Sequence, residues 1–550
     1  MKKIFLLVLV LLFQYSFSKP INETQKLAAT CKIWGFLKYY HPNVADGSKN
    51  WDEQLFQVLS KVEEAQSAEA FSLVIENWIT SLGEVKDYKT SKSTSKIDYF
   101  DKNFDLSWIS KNDLFSKSLS KKLKFIEENR IQGKQHFVDY VNGGSMSLEF
   151  INEIKYPDFK WTDKNLRLLA LFRYWNYIEY FFPYKYQMDQ NWDKTLIEFL
   201  SRFDNPESEK DFVLAMREIS IKLNDTHAST QMSQLFDYFG DKFIPADVKI
   251  IDEKAVVVKL KNDSLAKISD IKIGDVITKV EGKTIAEILK ENRKYVEGSN
   301  EPSVLRNAYW TIFNGKSDSF EIEFTRQDKT EVKLINRYKY KDLKIQFPDE
   351  EKWKILEGNI GYVNFDAFEA KDVPNLISEL KNTNAIIFDD RKRPHDVMYA
   401  ISDWLNPEQK EFARLLYPDL TYPGRFIWKA DIEKCGKSNP DYYKGKVVVL
   451  IDENAISHAE YTAMALKTAP KTTVIGSQTG GADGGNYRFS LIKGFGSSFT
   501  CYGVFYPNKK ETQRIGIVPD IEVKPTILGI QQGKDEILER AINFLKKINN

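Results

Sequence analysis

Two stretches of this chain, "KIWGFLKYYHPNVADGSKNWDEQLFQVLS" and "RYWNYIEYFFPYKYQMDQNWDKTLIEFLS", align in one register without a gap. Trp34 pairs with Trp175, Pro42 with Pro183, the "NWD" at Asn50 with that at Asn191, and Leu59 with Leu200, always 141 residues apart. Two copies are too few for a solenoid and imply a doubled helical unit. Within each copy apolar residues recur at helical spacing (Leu27, Cys31, Trp34 and Leu37 in the first), and a proline ends the opening helix. The copies are expected over residues 19–86 and 161–235. The same register sets Lys86 against His227, so the first copy reads as scaffold and the second as a contributor to a site. Residues 87–160, rich in Lys, Ser and Asp, read as a peripheral linker or insertion.

From residue 236 the helical period gives way to short strands, "DVKIIDE", "AVVVKL", "IKIGDVITKVEGKTI" and "FEIEFTRQ". "GDVITKVEGK" sets a Gly-Asp turn before a strand and a second turn at Glu281 and Gly282. Residues 236–340 resemble a PDZ domain, a module that captures extended peptides at a sheet edge. Over 350–550, apolar strands such as "AIIFDD", "VVVLIDEN" and "TTVIGS" alternate with helical segments, which implies a largely parallel sheet covered on both faces.

Charge excludes some partners. With 79 basic and 78 acidic side chains, net +1, no overall field draws the chain to nucleic acid or an acidic membrane, and "SKSLSKKLKF" reads as a solvated helix face. Hydrophobic residues are 42% and charged residues 29%, a globular composition. "MKKIFLLVLVLLFQYSFS" has the form of a secretory signal peptide cut after Ser18, which implies a secreted or periplasmic protein. Its apolar run is too short to span a bilayer, and no later segment reaches the roughly 20 apolar residues needed. Three scattered cysteines, without a C-x-x-C pair, indicate neither a disulfide framework nor a zinc site; Cys31 reads as core, and a Cys435 to Cys501 bridge stays open. No metal or organic cofactor is called for, and the glycine-rich "GSQTGGADGG" lacks the lysine of a phosphate loop.

"VVVLIDENAISHAEYTAMAL" runs from buried strand through a polar turn into a helix, with Ser457 at the corner. Such a turn exposes the hydroxyl, and the free N–H groups and positive dipole end of the helix lie where an oxyanion develops. Ser457 with Glu460 also spells S-x-x-E, a helix capping box, and the two readings are compatible.

"NAISHAEYTAMALKTAPKTTVIGSQTGGADG", with "GVFYPNKKETQRIGIVPDIEV" downstream and the PDZ-like segment upstream, resembles the tail-specific, or C-terminal processing, serine proteases and their tricorn-like relatives. The resemblance implies a multidomain α+β and α/β protein: a duplicated helical N-terminal region, a PDZ-like β domain and a Clp-protease/crotonase-like α/β catalytic domain. It implies Ser457, three residues before Glu460, as nucleophile. The processing-protease branch takes a lysine as base, but the corresponding "TGGADGG" offers only Ala482 and Asp483. The tricorn-like branch takes a histidine from L-x-[DTS]-[SGT]-H, which "LNDTHAS" matches at His227. The third member falls on Glu511 by residue type or Gln513 by spacing. His458 would supply a backbone N–H to the oxyanion, and Arg391, beside Asp389 and Asp390, a substrate contact; His395 and Asp396 stand where relatives carry paired glycines. The implied activity is a serine endopeptidase acting on a polypeptide held by the PDZ-like domain. The alternative is a catalytically silent relative that binds peptides without cutting them.

Overall fold

The computed structural model describes residues 21–88, 97–141, 146–345, 347 and 350–549. The signal peptide expected over 1–18 lies outside the described residues. Among them, no helix is long and apolar enough to cross a membrane.

The duplication is visible helix by helix. Glu23–Tyr40, Trp51–Glu64 and Ala68–Ser81 form the first copy; Lys164–Phe181, Trp192–Asp204 and Glu209–Ile221, each starting 141 residues later, form the second. Matching residues cap them: the side chains of Asn22, Asn50 and Ser67, and of Asp163, Asn191 and Ser208, each accept an amide of the first turn. In each copy two tryptophans exchange bonds, each indole donating to the other's carbonyl: Trp34 with Trp51 at 3.3 and 3.1 Å, Trp175 with Trp192 at 3.0 and 3.0 Å. The long helices are buried almost all round, polar residues such as Lys38 and Arg173 included, because each is sheathed on nearly every side. They cross where register equivalents meet. A Cβ on Gly35 would lie 1.7 Å from Asn176 Oδ1, so only glycine permits this approach.

Residues 97–141 and 146–160, within the stretch expected to be a peripheral linker or insertion, pack into the core. Leu119, Leu123, Ile126, Val138 and Leu148 enter the helical core, and Tyr99–Phe100 pairs with Phe426–Trp428. Glu153 reaches a buried network in which Lys38 and Arg173 face Asp52 and Glu153. The charge-rich composition that suggested a linker is spent on this network and on the outward faces.

Residues 246–336 form an antiparallel sheet in the order 329–336, 319–326, 276–280, 254–260, 246–251. The expected turn is there: Glu281 and Gly282 take φ of 50° and 78°, the paired left-handed conformation of a tight hairpin. Ala246–Ile251 is an edge strand.

The last domain is built on a sheet ordered 353–356, 360–364, 385–389, 446–451, 472–476, 521–522; only the first pairing is antiparallel. Along Lys446–Ile451, Val447, Val449 and Ile451 pack under the helices Val373–Leu380, Met398–Leu405 and His458–Leu466, while Val448 and Leu450 meet Glu536–Asn549 on the other face. A strand buried on both faces reads as the unbroken apolar run seen in the sequence. Cys435 and Cys501 are both free thiols, and no bridge joins them.

Candidate active site

Ser457 sits between the strand Lys446–Ile451 and the helix His458–Leu466, with φ 59° and ψ −112°. A non-glycine residue in this region carries about 1–3 kcal/mol of backbone strain, which the surroundings must impose. Glu460 does so. Its buried carboxylate accepts from Ser457 N (3.1 Å), Thr479 Oγ1 (2.5 Å), Gly481 N (2.7 Å) and Ala482 N (2.9 Å), tying the serine turn to the glycine segment beside it. Burial pushes the Glu460 carboxyl up, and these four donors oppose that.

The turn opens on a cavity of about 420 Å³ lined by Ser457, His458, Tyr461, Asp483, Tyr502 and Leu415 among others. The His458 backbone N–H, at the first position of the helix, has no acceptor among the described residues, so it is available to an oxyanion. Its imidazole Nε2 is also unbonded, 3.9 Å from Asp396 Oδ1. Asp483 is buried with neither oxygen in an ordinary hydrogen bond; burial, then the Glu460 charge, push its carboxyl well above the usual range.

His227 arrives from the second helical copy by a strand. Thr230–Gln231 adds to the hairpin Asn486–Ile492 and Phe495–Thr500, with Thr230 opposite Ser497, and Ser498 Oγ donates to the His227 carbonyl at 2.7 Å. Thr226 Oγ1 donates to Gly480 O at 2.9 Å, so the histidine loop and the serine turn rest on the same glycine segment. The imidazole Nδ1 lies 3.0 Å from Thr500 Oγ1, and Nε2 makes no hydrogen bond. Burial lowers the His227 pKa, with the Asp225 carboxylate opposing, which keeps the ring neutral at neutral pH. His227 and Ser457 share no hydrogen bond.

Residues 359–523 match the family Peptidase family S41. The carboxy-terminal-processing protease of Bartonella bacilliformis is 25% identical over 297 residues, 51% of this chain and 61% of that protein, so the chain spans under two thirds of that relative. That match and this relative make the chain similar to the tail-specific proteases. Mature CPAF, solved in complex with lactacystin, shares the fold at a TM-score of 0.54 and 14% identity, over 70% of this chain and 98% of its own. A second structure of mature CPAF gives 0.53 at 14% identity, over 68% and 96%.

Within this fold the other expected site residues separate. Gln513 is buried and donates Nε2 to Asp225 Oδ1 at 3.2 Å, two residues from His227. Glu511 instead accepts from Tyr186 Oη (2.9 Å) and Lys102 Nζ (3.5 Å), and has no bond to the imidazole. Arg391 is not free for a substrate: it grips Asp389 through Nε and Nη2 and Asp535 through Nη1 and Nη2. That pairing fastens the end of a central strand to the start of the C-terminal helix. His395 is exposed, with Nε2 3.2 Å from Asp366 O. Sequence reasoning missed Asp225 and Thr500. Asp225 was readable in "NDTH" as a carboxylate two residues before the histidine, whereas Thr500 had no signal, being placed by strand pairing.

Proposed function

We propose that this protein is a serine-type endopeptidase that cleaves extended or C-terminally exposed polypeptides through an acyl-enzyme on Ser457. Ser457 Oγ attacks the scissile carbonyl carbon, His227 Nε2 takes the hydroxyl proton, and the His458 N–H faces the oxyanion. The proton then passes from His227 to the leaving amine, and water, deprotonated by the same ring, releases the acyl group. The observation that carries this reading is the strained Ser457 corner, held at a helix start over a cavity inside the S41 domain. Asp483, a buried carboxyl and not a lysine where one branch of the family places its base, leaves the role to a histidine. The tricorn-like assignment of His227 rests on that and on "LNDTH".

Substrate would lie along the PDZ-like region. A groove of about 760 Å³ runs between the edge strand Ala246–Ile251 and the helix Glu301–Asn307 and continues to Glu453, Asn454 and Ser477 of the α/β domain. An unpaired edge takes an extended chain as an added strand. The apolar leader supports action outside the cytoplasm.

Turnover of denatured casein by purified protein tests the proposal. Wild type is expected to cut it, Ser457→Ala to have no activity, and His227→Ala to lose at least ~10²-fold. The missing hydrogen bond between His227 and Ser457 favours a second reading, a silent peptide binder. Peptide binding with no turnover by folded wild type would establish that reading instead.

A further inference from the structure

The imidazole of His227 is backed by a group that neither candidate for the third member supplies. Thr500 Oγ1 lies 3.0 Å from His227 Nδ1 and 2.9 Å from Asp225 Oδ1. Asp225 also accepts the Thr500 amide on Oδ2 at 2.8 Å, and on Oδ1 the His227 amide at 3.1 Å and Gln513 Nε2 at 3.2 Å. A carboxylate surrounded by four donors accepts only. A threonine hydroxyl has a single proton, so the proton on Thr500 points to Asp225 and its lone pair faces the ring. Nδ1 must then carry hydrogen, and Nε2 keeps its lone pair. This sorting follows from counting protons in a closed set, since Asp225, Thr500 and His227 are all buried.

We infer that Thr500 and Asp225 are positioning residues that fix the His227 tautomer and orientation through the chain Nδ1–H···Oγ1–H···Oδ1, in the place where a carboxylate would bond the ring directly. The inference rests on the reading of His227 as general base. The two Asp225 bonds to the Thr500 amide and hydroxyl set the hydroxyl's angle, and the hairpin that carries Thr500 is the one to which the histidine strand is added. One strand pairing therefore sets both the reach and the protonation of the ring. Gln513, the residue at the family spacing, contributes by holding Asp225 instead of the imidazole.

The test uses full-length protein with ¹⁵N-labelled histidine and reads the two ring nitrogens of His227, assigned by its loss in His227→Ala. Wild type is expected to show protonated Nδ1 and unprotonated Nε2 at pH 7.5. Thr500→Val, which removes the hydroxyl, should mix the tautomers and slow acylation by a fluorophosphonate probe ~10²-fold or more, while Thr500→Ser keeps the wild-type pattern and a rate within ~3-fold. Asp225→Asn should disturb the tautomer as Thr500→Val does. An Nε2–H ring in wild type, or an unchanged ring in a folded Thr500→Val protein, would overturn the inference. Because the tautomer is read without turnover, the two failures are distinct: intact relay signals with His227→Ala labelling at the wild-type rate would sink the base assignment alone.

Discussion

Asp390 is fully buried beside Asp389 and Glu460, and neither of its oxygens has a hydrogen-bond partner. Burial, then those two neighbouring charges, push its carboxyl well above the ordinary 3.8. A folded pKa raised above the unfolded one stabilises the protein fully below 3.8, and the contribution falls away as pH rises. Asp390→Asn is therefore expected to raise Tm relative to wild type, more at pH 8 than at pH 5; an equal shift at both pH values would contradict it. The His227 shift has the opposite use. With the ring's pKa lowered from 6.5 by burial, the midpoint of the acid-side fall in probe labelling is expected below pH 6.5. At this scale the sequence carried Ser457 and His227 as motif residues, because a corner serine and a histidine in "LNDTH" are local patterns. The partners of Glu511 and Arg391 were not legible, because Tyr186 and Asp535 lie 325 and 144 residues away.

At the scale of elements the duplication was the most legible feature, since helix starts and caps repeat with the sequence. Its consequence at the crossing was not. Gly35 and Asn176 hold equivalent positions, yet one must be small so that the other can donate Nδ2 to Cys31 O at 3.1 Å and Phe172 O at 2.8 Å. Gly35→Ala is expected to cost about 1–3 kcal/mol by overpacking. Adding Asn176→Ala should recover part of that loss, because the clash is with the asparagine side chain. Urea denaturation of the two single variants and the double variant reads the coupling, and strict additivity would show that these positions do not meet. Residues 97–160 misled for a related reason: charge in a sequence suggests solvent, but Glu153 is buried among cations.

For the whole molecule that network joins three regions of the chain. Burial pushes the Glu153 carboxyl up, but Lys38 and Arg173 outweigh it and hold the group below 4.5. Its contribution is present above 4.5 and lost as pH falls. Glu153→Gln leaves a buried positive charge unpaired and is expected to cost about 3–5 kcal/mol at pH 7, measured by denaturant unfolding. A loss below about 1 kcal/mol would show the network to be idle. The larger consequence of the architecture, on the proposed mechanism, is catalytic: a strand from the helical repeat brings His227 onto the domain that carries Ser457, 230 residues further along. Mass-spectrometric mapping of a fluorophosphonate adduct tests this most directly. The account predicts one modification, on the peptide holding Ser457, formed at least ~10²-fold more slowly in His227→Ala; an adduct on another residue, or none on folded wild type, would contradict it.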